Sequence, residues 1–409
     1  MRPIGASLAC SSVTGHRDWP VVGMVGGGQL ARMTQPAAIA LGVRFTVLAG
    51  STDEAAARAV PSSMVADEKS LDDLRAFAAG CDVLTFDHEQ VPFEYLRTLA
   101  AEGVVVRPGP DALLHAQDKG VMRSRLTRAG IPVPRHVVVS APDDVRAFAA
   151  ELVGSREAAP PADGSDLAVP VVLKTTRGGY DGKGVWVVTS LAHAGEPFRA
   201  GVPVLAEELV AFRRELSAVV ARSPSGQAVA YPVVESVQRD GVCVEVVAPA
   251  PGLPDDLAVE AQRIALTVAV ELDVVGVLAV ELFETVDGRI LVNELAMRPH
   301  NTGHWTIDGA VTSQFENHLR AVLDLPLGSP AARAPYAVMV NVLGGGAPDV
   351  YSAYGHCMAR DPALKIHWYG KELRPGRKVG HVTVCGDDVD DLRDRARHAA
   401  AHLRGDIDE

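Results

Sequence analysis

The sequence predicts a multidomain protein of mixed α/β and α+β class. With 409 residues the chain is too long for one ordinary domain, and two or three domains are expected. Its N-terminal part has the order strand, glycine turn, helix, strand, which opens a doubly wound α/β domain. From Val169 onward the chain is rich in short apolar runs that are typical of strands.

The elements of the N-terminal part follow from its apolar runs and its glycines. A five-residue apolar run (VVGMV) reads as a buried strand, and three glycines after it supply a turn. In order, the predicted elements are a strand at 21–25, a glycine turn at 26–28, a helix that ends at Leu41, and strands at 43–48, 82–86 and 104–108.

Helices flank a strand-rich middle in the rest of the chain. A helical stretch from Lys119 ends near Gly130, where an IPVP sequence breaks the pattern. Residues 154–168 have no periodicity and are rich in Pro, Ala, Gly and acids, so they read as a mobile surface loop or an insertion. The later predicted elements are strand runs between 169 and 248, a helix at 254–272, a hairpin at 277–296, strands after Gly328 and a helix at 386–404.

The most informative segment is the predicted hairpin within residues 277–305. Two apolar runs flank Asp287-Gly288, a pair that favours a two-residue turn. Such a turn would place Glu281 opposite Glu294, with Cβ atoms about 5 Å apart. Two carboxylates this close repel each other unless a cation lies between them, and Mg²⁺ suits such oxygen ligands. The alternatives are an ion pair with lysine, exposure to solvent, or a register slip that separates the two side chains.

A dense polar cluster follows this hairpin directly. Arg298, His300, Asn301 and His304 come just after the end of its second strand. Segments that follow strands often carry binding and catalytic residues. The cluster therefore predicts a functional site.

The first glycine turn resembles part of a dinucleotide fingerprint. Residues 26–31 (GGGQLA) fit G-x-G-x-x-A between a strand and a helix, where backbone N–H groups attract a phosphate. The fingerprint also needs an acid at the end of the next strand, but the first acid here is Asp53, beyond Gly50. NAD binding is therefore disfavoured, and a structural turn or a site for a different phosphate is expected.

A second glycine-rich segment lies between two strand-like runs in residues 171–188. It has four glycines between 178 and 184, and it is not a Walker A loop because no Lys-Ser/Thr opens a helix. Such a loop can close over a nucleotide triphosphate, and Lys174 at the preceding strand end is placed to meet a phosphate. A flexible turn with an exposed lysine is the alternative.

Two further groups of charged residues are candidates for ligand contacts. Glu207 and Glu208 end an apolar run, where acids can accept hydrogen bonds from an adenine amino group or ribose hydroxyls, although exposed acids are common. A basic loop near the C-terminus predicts a pocket for an anionic substrate, with a solvated loop as the alternative. Its residues are Lys371, Arg374, Arg377, Lys378 and His381.

Composition excludes several classes of protein. The net charge of −12 argues against a general nucleic-acid or anionic-membrane binder. No apolar run approaches the roughly 20 residues that span a bilayer, and the first 20 residues lack the features of a secretory signal. Five scattered cysteines without CxxC spacing fit reduced thiols in a cytoplasmic protein.

Taken together, these motifs resemble the N5-carboxyaminoimidazole ribonucleotide synthetase family of the ATP-grasp superfamily. The resemblance runs from Val21 to His381 and rests on GGGQLARM, VLKTTRGGYDGKGVW, VGVLAVELF, LVNELAMRPHNTGHWT, TSQFE and YGKELRPGRKVGH, in that order. It implies a Rossmann-like domain at 21–118, an ATP-grasp domain at 119–328 and a small C-terminal domain at 329–409. It also implies a homodimer. Residues 1–20 and 154–168 lie outside the resemblance, and the composition of residues 1–20 predicts a disordered extension.

The resemblance implies a carboxylation reaction. ATP and bicarbonate would form carboxyphosphate, whose CO₂ would be captured by the amine of 5-aminoimidazole ribonucleotide. The cofactors would be ATP and Mg²⁺, with Mn²⁺ as a substitute. The metal ligands would be Glu281 and Glu294.

The resemblance also assigns residues to three further sites. ATP would be bound by Arg107, Lys174, Gly179, Tyr180, Asp181, Gly182, Lys183, Gly184, Val185, Glu207, Glu208, Leu209, Val210, Glu215, Gln238, Asn293 and Glu294. The carboxylation chamber would be lined by Tyr180, Asp181, Arg298, His300 and Asn301. The ribose phosphate would be held by Lys371, Arg377 and Lys378, with Gln29 and Glu89 completing that pocket.

Two positions depart from the family pattern. Asp87 stands where the family usually has Glu, and Met297 where it generally has Pro. Two other functions stay open at this point. One is an ATP-grasp ligase that acts on a different purine intermediate, and the other is a dinucleotide-binding sensor without enzymatic activity.

Overall fold

Three β-sheets carry the fold in the part of the chain that the structure describes. The mixed α/β and α+β class is confirmed. Among the described helices, none is both long and apolar enough to cross a membrane. The predicted N-terminal extension and the predicted loop at 154–168 lie almost entirely outside the described residues. The computed structural model describes residues 19–154, 167–179, 183–199, 201–346 and 350–407.

The N-terminal sheet is parallel, as its strand–helix alternation predicts. Its elements are β1 (Val21–Val25), α1 (Gln29–Leu41), β2 (Arg44–Ala49), β3 (Ser63–Val65), α2 (Leu71–Ala78), β4 (Val83–Phe86), α3 (Phe93–Ala101) and α4 (Pro110–Gln117). The strands pair in the order β3-β2-β1-β4. Their apolar side chains are buried on both faces, which is why these strands read as continuous hydrophobic runs.

The strand predicted at 104–108 is wrong. Val106 forms a single parallel bridge with Leu84. The N–H of Arg107 donates to the carbonyl of Leu84 at 2.9 Å, but Pro108 has no N–H with which to continue a ladder. The segment is therefore one edge contact that leads into α4.

A four-stranded antiparallel sheet, which we call the lid sheet, carries the glycine-rich loop. The chain enters it through α5 (Lys119–Arg128), and its elements are β5 (His136–Val139), α6 (Pro142–Leu152), β6 (Val171–Thr175), β7 (Val185–Val188), α7 (Leu191–Phe198) and β8 (Val204–Glu208). The strand order is β5-β8-β6-β7, and α6 and α7 pack on an apolar core shared with these strands. The prediction that the glycines join two paired strands is confirmed, because β6 pairs with β7.

The largest sheet, which we call the central sheet, has nine strands in the described residues and continues into the C-terminal region. Its elements are β9 (Phe212–Arg222), β10 (Ala228–Ala230), β11 (Val234–Arg239), β12 (Val242–Ala248), α8 (Asp255–Glu271), β13 (Gly276–Thr285), β14 (Ile290–Ala296), α9 (Thr306–Gly309), α10 (Gln314–Val322), β15 (Tyr336–Leu343), α11 (Ala353–Arg360), β16 (Lys365–Trp368), β17 (Lys378–Gly386) and α12 (Val389–Arg404). The order is β14-β13-β9-β11-β12-β15-β17-β16, with β10 beside β9. The predicted C-terminal domain therefore extends the central sheet through the β12–β15 pair.

The two faces of the central sheet have different roles. One face is mostly apolar, apart from buried ion pairs such as that of Glu245 with Arg393, and packs against α8, α11 and α12. The opposite face carries a row of polar side chains, because strand residues alternate between the faces. These side chains include Ser217, Glu281, Asn341 and His381. The segment between β14 and α10 covers this polar face.

Candidate active site

Glu281 and Glu294 lie directly opposite each other in the β13–β14 ladder, as predicted. The predicted two-residue turn, however, is wrong. Thr285 N–H donates to the carbonyl of Arg289 at 2.9 Å, which leaves three residues in the turn. Gly288 ends it with φ of 78°, a left-handed value that favours glycine. This turn alone would leave the two glutamates one residue out of register.

A bulge at Asn293 restores the register. Leu282 lies opposite Val292, whereas the residue before it lies opposite the residue after Asn293. The bulged residue turns its polar groups toward neighbouring cations. Its carbonyl accepts from Arg123 Nη2 at 2.7 Å, and its Oδ1 accepts from Lys174 Nζ at 3.1 Å.

The paired carboxylates repel each other in a partly buried place. Burial raises the pKa of Glu281, and the charges of Glu294 and Glu215 raise this pKa further. Glu294 forms an ion pair with Lys119 Nζ. Among the described residues, no group of three or more His, Cys, Asp or Glu side chains could hold a metal ion. Two repelling carboxylates nevertheless fit a hard divalent cation that takes its other ligands from phosphate and water.

Glu207 has partners other than the predicted adenine. Its carboxylate binds Arg123 and also Lys174 Nζ, the latter at 2.7 Å, and its side chain is only 3% exposed. Burial raises the pKa of Glu207, but the two cations outweigh burial and lower it to about 2. The glutamate therefore stays ionised and holds Lys174 beside Asn293, at the bulge next to the paired carboxylates.

The residues after Glu207 form the junction between the lid sheet and the central sheet. Glu208 ends β8, and its Oε1 accepts the backbone N–H of Arg135 at 2.9 Å. Leu209 is exposed and Val210 is half-buried. Glu215 lies on β9, next to β13, and burial raises its pKa despite the nearby charge of Lys174.

The glycine-rich loop approaches β6 closely where it is described. A Cβ on Gly184 would lie 2.7 Å from Thr175 Oγ1, and one on Gly179 would lie 2.7 Å from the carbonyl of Lys183. Only glycine fits at these two contacts. Val185 opens β7 with an exposed side chain. The predicted Tyr180, Asp181 and Gly182 lie outside the described residues.

On the other side of the paired carboxylates, a chain of hydrogen bonds crosses the polar face of the sheet. His300 Nε2 lies 3.3 Å from Glu281 Oε1, and its Nδ1 lies 2.8 Å from Thr302 Oγ1. Thr302 Oγ1 in turn lies 2.7 Å from Ser217 Oγ. Burial lowers the pKa of His300 well below its usual value, and the positive charges of Arg298 and Lys378 add to this, so the imidazole is neutral.

Arg298, two residues before His300, contacts the loop that follows β4 of the N-terminal sheet. Its Nε donates to Glu89 Oε2 at 2.9 Å, and the N–H of Met297 donates to Glu89 Oε1 at 3.3 Å. Met297 is fully buried, and the ion pair forms with methionine at this position. The two side-chain polar atoms of Asn301 are buried without a partner among the described residues.

The basic loop meets the first turn of the N-terminal domain. Lys371 Nζ donates to Oε1 of Gln29, the first residue of α1. Burial raises the pKa of Asp87 at this place, although the nearby charges of Arg298 and Lys371 act in the opposite direction. A Cβ on Gly28 would lie 2.3 Å from Asp87 Oδ2, so the glycine turn packs directly on this carboxyl. The first turn of α1, the loop after β4, Arg298 and the basic loop therefore lie close together.

The remaining basic residues of the loop differ in exposure. Arg377 is exposed, and its Nη1 lies 3.5 Å from the carbonyl of Glu372. Lys378, the first residue of β17, is half-buried. Arg374 pairs with Glu372 at 2.6 Å.

Arg107 and Gln238, two predicted nucleotide ligands, make hydrogen bonds away from Lys174 and the paired carboxylates. Arg107 Nη1 donates to the carbonyl of Val322, at the end of α10, at 2.7 Å. Gln238 Nε2 donates to Ser236 Oγ at 2.7 Å. Neither contact joins its residue to Lys174 or the paired carboxylates.

Comparisons with known proteins cover nearly all of the described fold. Residues 20–117 match the ribonucleotide synthetase preATP-grasp domain, residues 124–315 the ATP-grasp domain, and residues 337–395 the phosphoribosylaminoimidazole carboxylase C-terminal domain. The chain is 56% identical over 391 residues to N5-carboxyaminoimidazole ribonucleotide synthase of Mycobacterium tuberculosis, covering 94% of this chain and 88% of the relative. The chain belongs to this synthase family. The relative from Corynebacterium ammoniagenes is 46% identical over 394 residues, covering 94% of this chain and 92% of the relative.

Solved structures of the synthase family have the same fold. An ADP complex of an N5-carboxyaminoimidazole ribonucleotide synthetase superposes with a TM-score of 0.83 at 33% identity, covering 95% of this chain and 97% of the other. The enzyme from Aspergillus clavatus, in complex with ADP and 5-aminoimidazole ribonucleotide, superposes with a TM-score of 0.82 at 32% identity, covering 95% and 99%. The ATP-grasp fold expected from the motifs is thereby confirmed.

Sequence reasoning missed several residues that contact the predicted site residues. Lys119 and Arg123 lie on the first two turns of α5, a helix with no recognisable motif, and they reach Glu294 and Glu207 from far along the chain. The approach of Ser217 to the His300 segment was also missed. A charged side chain at a helix position that should be buried was the available signal at Arg123, which is 1% exposed.

Proposed function

We propose that the protein carboxylates 5-aminoimidazole ribonucleotide with bicarbonate, in a reaction driven by ATP. The products are N5-carboxyaminoimidazole ribonucleotide, ADP, phosphate and one proton, as a step of de novo purine biosynthesis. The observation that carries the proposal is the position of Glu281. It lies opposite Glu294, which pairs with Lys119, and its other neighbour is His300, which is hydrogen-bonded through Thr302 to Ser217.

The paired carboxylates and two lysines serve the phosphoryl-transfer half of the reaction. Glu281 and Glu294 would hold Mg²⁺, with Mn²⁺ as a substitute, and the bound ion would neutralise charge on the transferred phosphoryl group. Lys174 is held in place by Glu207 and would contact the triphosphate. Lys119, which pairs with Glu294, would be free to contact a phosphate oxygen if that carboxylate served as a metal ligand.

Other residues would bind the rest of ATP. The glycine loop, with Gly179, Lys183, Gly184 and Val185, would close over the triphosphate and exclude water. Glu208, Leu209 and Val210 would contact adenine at the junction of the two sheets, and Glu215 would reach the ribose. For Glu207 we propose contacts with adenine through backbone atoms only. Arg107, Gln238, Asn293, Tyr180, Asp181 and Gly182 remain predicted nucleotide ligands.

The chamber around His300 would perform the carboxylation. Carboxyphosphate releases CO₂, and the substrate amine attacks its carbon and loses one proton. Arg298 is held by Glu89 and would stabilise negative charge on the carboxyl group. The neutral imidazole of His300 and the amide of Asn301 would orient this carboxyl group by hydrogen bonds. Asp181, with Tyr180 beside it, is the proposed acceptor of the amine proton.

The nucleotide substrate would bind between the N-terminal domain and the basic loop. Lys371, Arg377 and Lys378 would hold the ribose phosphate, because clustered cations bind such dianions strongly. Gln29 and Glu89 would complete the pocket. We also propose that the protein is a cytoplasmic homodimer with domain boundaries near residues 118 and 328.

Release of ADP tests the function directly. The expected result is Mg²⁺-dependent ADP release that needs both bicarbonate and 5-aminoimidazole ribonucleotide, with one carboxylated product formed per ADP. Other purine intermediates and formate serve as controls for a related ligase. The proposal falls if 5-aminoimidazole ribonucleotide does not stimulate ADP release. NAD(H) binding without ATP turnover would instead support the dinucleotide-sensor alternative.

A further inference from the structure

Gln314 is fully buried behind the carboxylation chamber and belongs to the TSQFE motif, which the proposed chemistry does not use. Its side-chain amide clasps the backbone of one residue. Oε1 accepts the N–H of His300 at 2.8 Å, and Nε2 donates to the carbonyl of the same residue at 2.7 Å. Such a two-bond clasp fixes both the position and the direction of the His300 backbone.

These hydrogen bonds determine which end of the Gln314 side-chain amide carries the oxygen and which the nitrogen. A backbone N–H only donates, so the atom that faces the N–H of His300 must be the oxygen of Gln314. The amide nitrogen then faces the carbonyl of His300 and also lies 3.2 Å from His304 Nδ1. Because an amide nitrogen only donates, His304 Nδ1 must accept. This contact places the proton of a neutral His304 on Nε2, an atom that is buried without a partner among the described residues.

The surroundings keep the clasp tight and His304 neutral. A Cβ on Gly303 would lie 2.3 Å from Gln314 Oε1, so this glycine leaves the space that the amide fills. Thr306 Oγ1 donates to the carbonyl of Gly303 at 2.6 Å and accepts the backbone N–H of Gln314 at 2.9 Å. Burial lowers the pKa of His304 well below its usual value, and the charge of Lys378 adds to this.

We propose that Gln314 is a positioning residue of the carboxylation chamber: it fixes the backbone of His300 and selects the Nε2–H tautomer of His304. Through the first contact it holds the His300 ring between Glu281 and Thr302. Gln314 acts through His300 and does not touch substrate. The inference rests on the proposed function for its catalytic consequence, whereas the tautomer is a property of the protein alone.

Gln314→Met tests the catalytic consequence, because methionine has a similar volume and makes none of these hydrogen bonds. Asn317→Ala is the matched control. Asn317 lies on the same helix, is also fully buried, and has three hydrogen bonds, but these go to Tyr231 and Gly328. Both substitutions should lower the melting temperature, so loss of stability alone cannot distinguish them.

The expected result is a selective loss in the Gln314→Met variant. Its kcat should fall roughly 10- to 100-fold, which is the loss typically seen when a residue that orients a metal ligand is removed. Its KM for bicarbonate should rise. Binding of Mg-ADP, measured by calorimetry, should stay within about twofold, because the nucleotide site does not include Gln314. Asn317→Ala should keep kcat within about threefold. Equal losses in the two variants, or normal kinetics in folded Gln314→Met, would overturn the positioning role.

Histidine ¹⁵N NMR tests the tautomer without any assay of activity. In the wild-type protein, His304, assigned by its loss in His304→Asn, should show a protonated Nε2 and an unprotonated Nδ1 from pH 6 to pH 8. A protonated Nδ1 would refute the proposed clasp even if the kinetics behave as expected. If wild-type protein shows this tautomer but no carboxylation, the proposed function has failed and the clasp has not. Because the tautomer is observed in the wild-type protein, a Gln314→Met variant that misfolds leaves this test intact.

Discussion

Glu207→Gln is the sharpest test of the arrangement that holds Lys174. The Glu207 carboxylate is 3% exposed and lies between Arg123 and Lys174. Burial raises its pKa, but the two cations outweigh burial and lower the pKa from 4.5 to about 2. A pKa change of this size corresponds to roughly 3 kcal/mol of stability at neutral pH, and little solvent screening applies at this exposure. Loss of one partner from a buried ion pair typically costs about 3–5 kcal/mol, which agrees.

The sign of the pH dependence follows from the lowered pKa. An acid with a lower pKa in the folded state contributes stability above its unfolded pKa of 4.5, and that contribution disappears as the pH falls toward 2. Urea unfolding of wild type and Glu207→Gln should therefore differ by about 3 kcal/mol at pH 7, and the difference should shrink steadily below pH 4.5. Glu208→Gln is the control. Its carboxylate accepts one backbone N–H, so the expected loss is about 1 kcal/mol or less.

A kinetic measurement completes this test. Lys174 keeps Asn293 but loses its ionic partner in Glu207→Gln, so the KM for Mg-ATP should rise roughly tenfold, equivalent to about 1.4 kcal/mol. The KM for 5-aminoimidazole ribonucleotide should not change. A variant with wild-type stability at pH 7 would refute the claim that Glu207 compensates buried charge. An unchanged KM for Mg-ATP would refute its role in placing Lys174.

Three further predictions concern other parts of the molecule. Glu294→Gln should reduce Mg-ATP turnover at least about 100-fold while calorimetry still detects binding of 5-aminoimidazole ribonucleotide, and retained turnover would contradict the metal role. Lys371→Met should raise the KM for 5-aminoimidazole ribonucleotide about 10- to 100-fold, with the KM for ATP within twofold, because one charge-assisted phosphate contact is lost. Glu245→Gln should destabilise α12 by about 2 kcal/mol, because Glu245 is 3% exposed and binds Arg393 and Arg397, and faster hydrogen exchange in α12 would show it.

The hairpin shows what sequence patterns can and cannot predict. Alternating apolar residues around Asp287-Gly288 predicted the hairpin and the pairing of Glu281 with Glu294. The three-residue turn and the bulge at Asn293 were not predicted, because each shifts the register by one residue and the two shifts cancel. The alternation of apolar and polar residues shows only on which face of the sheet a side chain lies. It therefore cannot distinguish a regular hairpin from one in which two register shifts cancel.

Contacts between distant segments were harder to predict than the elements themselves. The acids at the end of β8 were identified, but the partner of Glu207 was not, because Arg123 is 84 residues earlier in the chain. Gln314 was part of a recognised motif, yet its partner His300 depends on how α10 packs. Long-range packing of this kind leaves little trace in local sequence.

The proposed site is built on two separate sheets, the central sheet and the lid sheet. Glu281, Ser217 and His381 lie on one continuous sheet, which the β12–β15 pair extends to β17, where the basic loop ends. The proposed carboxylation chamber and the proposed ribose-phosphate pocket would therefore be built on the same sheet. Among the described strands, those of the lid sheet pair only with one another, so a movement of the lid sheet would not break the ladder that holds the paired carboxylates. In the proposed reaction, the paired carboxylates would thus keep their pairing when the lid sheet moves.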